Sequence, residues 1–229
     1  MERFVYPAAF AATRPHDPAV IMAATGEFIT WSDLEARSNR VAHLLRDAGL
    51  ERGDHMAMFM DNDPRFIEIA WAGLRAGIYV TAINWHLTAD EAAYIVNDCE
   101  AKALFTTDAV ADVAEAMVAL TPAIRRRVTT GRALAGHERI DDAVAGLPET
   151  PIADEAAGET MLYTSGSTGR PKGVLAHLPE HTWWQLDEGD PVLDRMRAFP
   201  NPYGFDESTV YLSPAPLYHA APMAFCRRV

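Results

Sequence analysis

Between Glu27 and Thr129, short apolar runs alternate with longer amphipathic stretches, several of which open on helix-capping signals. This alternation most constrains the fold. Glu27 to Thr30 reads as a short strand. Ser32-Asp33-Leu34-Glu35 reads as a capping box, with Thr30 a competing N-cap, and opens a helix that buries Leu34, Val41, Leu44 and Leu45 and stops at Gly49. His55 to Met60 is a strand. Asp63-Pro64 starts a helix with proline at its first position and an apolar stripe of Phe66, Ile69, Ala70 and Leu74, ending at Gly77. Ile78 to Ile83 is a strand, and Thr88-Ala89-Asp90-Glu91 is a second capping box before a helix carrying Ala92, Ile95 and Val96. Ala103 to Thr106 is a strand, Asp108 to Leu120 a helix and Arg125 to Thr129 a further strand. Strands separated by helices imply βαβ units, hence a layered α/β fold on a parallel sheet.

The remainder is less regular. Gly131 to Glu159 is acidic and connecting, with one short helix near Ile140 to Val144. Met161-Leu162-Tyr163 is a strand leading into a glycine-rich loop. The stretch 179–207 suits a helix and an irregular excursion, and Thr209 to Leu212 suits a strand. We expect an α/β subdomain over 1–160 and the start of a second subdomain over 161–229.

The 229 residues are 49% hydrophobic and 23% charged, enough for a sizeable core. A net charge of −12 argues against a nucleic-acid or anionic-membrane surface, because phosphates repel it. Cys99 and Cys226 form neither a disulfide framework nor metal-site spacing and read as reduced thiols. Met1 to Pro7 lacks the apolar core of a signal peptide, and no run approaches the ~20 apolar residues of a membrane span. A cytoplasmic protein is expected.

The chemistry concentrates in Tyr163-Thr164-Ser165-Gly166-Ser167-Thr168-Gly169-Arg170-Pro171-Lys172-Gly173-Val174. Glycines let backbone N–H groups approach phosphates, hydroxyls donate hydrogen bonds and the lysine adds charge. Walker A spacing fails, since Pro171 and Val174 stand where its second glycine would. Neither G-x-G-x-x-G nor the hydrolase elbow G-x-S-x-G is present.

What remains, T-S-G-S-T-G-R-P-K-G, resembles the phosphate-binding loop of the adenylate-forming (AMP-binding) superfamily, which includes acyl-CoA synthetases, adenylation domains of peptide synthetases and firefly luciferase. Gly77 to Asn84 with Leu87, Thr88 and Glu91 is similar to an upstream segment of fatty-acid–CoA ligases, and Thr30 to Leu34 to the family's early strand-to-helix turn. Leu212 to Pro222 resembles the next block, in its acyl-CoA synthetase form. The resemblance runs from about Phe10 to Phe225 and is weakest over 176–207.

It implies ATP-dependent activation of a carboxylic acid, of the fatty class, to an acyl adenylate and then a coenzyme A thioester, with ATP, Mg2+ and coenzyme A as cofactors and co-substrate. On this resemblance Thr164, Ser165, Gly166, Ser167, Thr168 and Gly169 wrap the β- and γ-phosphates, Thr164 also touches magnesium, and Lys172 supplies charge to the phosphates. Read without it, Lys172 is a solvated lysine on a turn. His219 would line the carboxylate pocket or orient a reacting oxygen; otherwise it closes a proline-rich turn. Pro216, Leu217 and Tyr218 read as wall. Asn84, Trp85 and His86 lie at a strand end, where α/β sites gather, or simply cap the next helix. Trp183 and Trp184 read as packing, and Arg125-Arg126-Arg127 as a solvated turn.

Complete members of the resembled family are more than twice this length. Their magnesium-binding glutamate, their adenine, ribose and coenzyme A contacts and a C-terminal lid domain with a catalytic lysine would lie beyond Val229. The chain is therefore expected to be a truncated portion, inactive or weakly active, with self-association through an incomplete core. Two alternatives stand: a non-catalytic ATP-binding fragment, and an amino-acid- or aryl-acid-adenylating enzyme.

Overall fold

The computed structural model describes residues 6–164, 169–178, 180, 182 and 208–226. A short helix, α1 (Pro7–Thr13), precedes an antiparallel ribbon of β1 (Pro18–Ile21) and β2 (Phe28–Thr30). There follow α2 (Trp31–Asp47), β3 (His55–Phe59), α3 (Phe66–Arg75), β4 (Tyr79–Ile83), α4 (Ala89–Asp98) and β5 (Ala101–Thr106). A 3-10 turn over Asp108–Val110 leads to α5 (Ala111–Leu120), β6 (Arg126–Thr129), β7 (Glu138–Arg139), α6 (Ile140–Ala143) and β8 (Glu159–Thr160). These strands form a six-stranded sheet in the order β7-β6-β5-β3-β4-β8, every neighbour parallel. The layered α/β fold expected from the alternation is present.

The pleat sorts the strands' side chains between two cores. Met56, Met58, Val80, Ala103, Phe105 and Val128 face α2 and α3, while Ala57, Phe59, Ile83 and Leu104 face α4 and α5. A parallel sheet covered on both sides explains why its strands are apolar at consecutive positions. The α3 helix is buried along its whole length, including Glu68 and Arg75.

Several local expectations shift. Thr30, not Ser32, caps α2: its hydroxyl accepts the Asp33 amide at 3.1 Å, and the Asp33 carboxylate returns to the Thr30 amide. Because β2 runs straight into the helix, the extended cap residue is Thr30 and Ser32 is already helical. Thr88 caps α4 as expected, with Glu91 completing the box. Asp63-Pro64 lies before α3, in a turn where Asp63 accepts from the Arg65 amide, so Pro64 is not its first residue. The helix expected from Asp108 opens as the 3-10 turn.

Arg125 to Arg127 is no solvated turn. Arg125 donates to the Gly49 carbonyl at 2.8 Å, Arg126 pairs with Glu138 at 2.9 Å and Arg127 donates to the Thr121 hydroxyl at 3.0 Å. Thr209 to Leu212 forms no strand, having no ladder partner among the described residues; Val210 and Leu212 lie exposed there. The sequence around 147–157, poor in periodicity, is tied to α2 by polar contacts. Asn39 donates to the Glu149 carbonyl at 2.7 Å, Arg40 pairs with Glu149 at 2.6 Å, and Arg46 with Asp154 at 3.0 Å. Trp183, Trp184 and the helix expected within 179–207 lie outside the described residues. Among the described residues no helix is long and apolar enough to cross a membrane.

Candidate functional site: a hairpin that frames the glycine-rich loop

After β8 the chain leaves the main sheet. The Met161 amide still donates to the Val80 carbonyl at 3.0 Å, but Leu162–Thr164 (β9) pairs antiparallel with Lys172–Val174 (β10). The strand expected at Met161 is thus split between the sheet and a separate hairpin. The glycine-rich loop, 165–171, joins β9 to β10. Ser165, Gly166, Ser167 and Thr168 lie outside the described residues. Gly169 has φ +92°, the left-handed region that glycine adopts without strain.

Register determines what the hairpin presents. Thr164 lies opposite Lys172, Tyr163 opposite Gly173 and Leu162 opposite Val174. Directly opposed residues of an antiparallel pair project to the same face, and successive residues to opposite faces. Thr164 and Lys172 therefore share one face, and both are exposed. Tyr163 turns the other way, toward α4, and packs with Met161 and Leu178 against the α4–α5 core. A Cβ at Gly173 would collide with the Met161 methyl and come within 3.1 Å of the Tyr163 ring, so the glycine leaves room for both side chains.

The Tyr163 hydroxyl donates to Asp98 Oδ2 at 2.6 Å. Burial, then this bond to the carboxylate, pushes the phenol well above its ordinary range, so it stays a donor. The Tyr94 hydroxyl donates to the Pro171 carbonyl at 3.2 Å, and the Arg170 guanidinium stands 5.3 Å from the centre of the Tyr94 ring. Behind β10, the Tyr79 hydroxyl donates to the Ala176 carbonyl at 2.7 Å. Tyr94, Asp98 and Tyr79 were not singled out from sequence. The only signal is that Tyr94 and Asp98 stand four apart on α4, one helical turn, off its apolar stripe.

His219 belongs to a separate element. It ends a turn in which its amide donates to the Pro216 carbonyl at 3.2 Å, and it precedes the last helix, α7 (Ala220–Cys226). Asn62, in the loop after β3, accepts the Leu217 amide at 2.9 Å. Leu217 and Met223 are buried in the α2–α3 core, the layer opposite the one on which the hairpin is seated. The imidazole is exposed, with the Tyr218 ring 4.3 Å away. The structure thus brings Thr164 and Lys172 together and docks the His219 block independently. Asn84 forms a turn, accepting the His86 amide at 3.0 Å on its side chain, but it does not cap α4, whose N-cap is Thr88.

Magnesium accompanies nucleoside triphosphates. Among the described residues no group of three His, Cys, Asp or Glu is placed to hold a metal.

Known proteins place the chain. Over 173 residues it is 36% identical to a fatty acid–[acyl-carrier-protein] ligase, ScoC, of Streptomyces coeruleorubidus, covering 73% of this chain and 31% of that one. It is 32% identical over 178 residues to a feruloyl-CoA synthase of an Amycolatopsis species, covering 78% and 34%. Among solved structures, a putative long-chain-fatty-acid CoA ligase from Rhodopseudomonas palustris superposes with a TM-score of 0.79 at 22% identity, over 96% of this chain and 52% of that one. The N-terminal domain of FACL13 from Mycobacterium tuberculosis gives 0.74 at 20% identity, over 99% and 54%. The chain spans about a third of the length of these curated relatives. A family model described as AMP-binding enzyme matches residues 8–227, nearly the whole chain, and the chain belongs to that family.

Proposed function

We propose that this chain supplies the phosphate-binding part of an ATP-dependent acid–thiol ligase, which converts a carboxylic acid of the fatty class to an acyl adenylate and then to a coenzyme A thioester. The observation that carries this reading is the pairing of Thr164 with Lys172 on the exposed face of the hairpin that frames the loop. A hydroxyl and an ammonium there flank a segment rich in backbone donors, the combination that binds phosphate oxygens. Attack of a carboxylate on the α-phosphate builds negative charge on those oxygens, and donors fixed in advance lower the barrier.

In this reading Ser165, Gly166, Ser167, Thr168 and Gly169 wrap the β- and γ-phosphates, and Lys172 neutralises their charge. Thr164 holds magnesium, which, when bound, neutralises phosphate charge. His219 lines the carboxylate pocket, which requires the two docked blocks to face a common substrate. The division into a subdomain over 1–160 and a second beginning at 161 fits the point where the chain leaves the main sheet. The relatives include proteins named as fatty-acid and as aryl-acid ligases. The fatty class is chosen because the ScoC relative, at 36% identity, is named for a fatty acid.

Acid-dependent release of pyrophosphate from ATP tests the proposal. With the 229-residue chain we expect weak release, greater with a fatty acid than with an aryl or amino acid. Release driven best by an amino acid contradicts the assignment of substrate class.

A further inference from the structure

The hairpin framing the loop has a weakness. It holds three residue pairs, closed by a seven-residue connection, so the pairing alone specifies its register poorly. A slip of one residue turns one strand over relative to the other, so Thr164 and Lys172 would no longer share a face; a slip of β9 would turn Thr164 inward and Tyr163 outward. Contacts outside the hairpin must select the observed register, and among the described residues the polar and ring contacts that reach its strands and the Arg170-Pro171 turn from α4 come from Tyr94 and Asp98.

We propose that Tyr94 and Asp98 are positioning residues for the phosphate loop, fixing the register of β9 and β10 and hence the face that carries Thr164 and Lys172. Three contacts act on both arms. Asp98 Oδ2 accepts the Tyr163 hydroxyl from β9. The Tyr94 hydroxyl holds the Pro171 carbonyl immediately before β10. The Tyr94 ring lies beneath the Arg170 guanidinium, one residue further into the loop. The donors are matched to the acceptors: each phenol spends its single proton on one oxygen, and Asp98 Oδ1, 3.4 Å from the Tyr94 oxygen, remains at the edge of hydrogen-bonding range. Gly173 completes the device, since a side chain opposite Tyr163 would crowd the ring that reaches Asp98. Thr88 and Glu91 cap the start of α4, whose buried Ile95 and Val96 anchor it on the core, so the clamp rests on a fixed helix.

The proposal rests on the nucleotide-binding reading, and the experiment separates the two. Backbone amide exchange over 162–174 and affinity for MgATP are measured for the 229-residue chain and for two variants. Asp98→Ala combined with Tyr94→Phe should speed exchange in β9 and β10 about tenfold and weaken MgATP binding about tenfold, the effect of losing two hydrogen bonds. Exchange in β3 and β5 should stay unchanged, which a general loss of stability would not allow. Asp98→Asn, which keeps an acceptor for Tyr163, should remain near wild type. Unchanged hairpin exchange in the double variant overturns the proposal. So does unchanged affinity when the wild-type chain binds MgATP, and in that case the nucleotide reading survives. If the wild-type chain binds no MgATP, the nucleotide reading fails and the positioning role fails with it.

Discussion

At the level of single residues, the clearest demand on the fold is a buried cation. Arg75 has no exposed surface, and its guanidinium donates to both Glu35 oxygens, one at 3.0 Å, and to Asn39. Glu155 lies 3.7 Å away and also accepts the Tyr6 hydroxyl at 3.0 Å. A buried charge that loses its partner is costly, whereas an exposed pair contributes little. Glu35→Ala should therefore lower the unfolding free energy by about 3–5 kcal/mol in urea titrations, and Arg40→Ala, from the exposed pair with Glu149, by less than ~1 kcal/mol. Equal losses would contradict this account. None of the network was legible in the sequence. Glu35 was read as part of a cap and Arg75 was not singled out, because their meeting depends on how α2 packs on α3. Thr164 and Lys172 were legible as members of the loop, through the order of residue types. Their opposition across a hairpin was not, because it depends on register.

At the level of elements, the capping signals carried most of the information. Thr88 with Glu91 marked α4, and Gly49 and Gly77 marked the ends of α2 and α3, where each adopts a positive φ. The expected stripe of α3 understated its burial. Its Phe66, Ile69, Ala70 and Leu74 are buried, and so is Glu68, whose Oε2 has no hydrogen-bond partner among the described residues. Burial raises this carboxyl to about 7, with Arg65 and Arg37 pulling partly the other way. The folded state thus holds the proton more tightly than the unfolded chain, where a glutamate titrates near 4.3. The stability from the protonated form is complete below that unfolded value and is lost as pH rises through about 7. Glu68→Gln, which stays neutral, should melt close to wild type at pH 5 and above it at pH 8, by an amount on the order of 3 kcal/mol. The same difference at both pH values would show that the carboxyl does not titrate this way. The stretch around 147–157 escaped reading for a different reason: it is held by polar contacts to α2 and carries no hydrophobic period.

At the level of the whole molecule, alternating strands and helices sufficed for the layered α/β sheet, since both helical layers must cover apolar strands. The sheet order was beyond reach, because β5 passes β4 to pair with β3 and no local signal specifies that. The molecule keeps two stations apart. The loop hairpin is seated over the α4–α5 core, and the His219 block is docked by Asn62 and by Leu217 on the α2–α3 core. Beyond them, Val174 and Leu175 lie exposed along β10 and just after it. The central claim is that the exposed face carrying Thr164 and Lys172 binds the phosphates of ATP. Calorimetric titration of the 229-residue chain with MgATP tests it most directly. Saturable binding that Lys172→Ala weakens at least about tenfold, the effect of removing a charge-assisted contact, is the predicted result. Absence of binding, or binding that Lys172→Ala leaves unchanged, would contradict it.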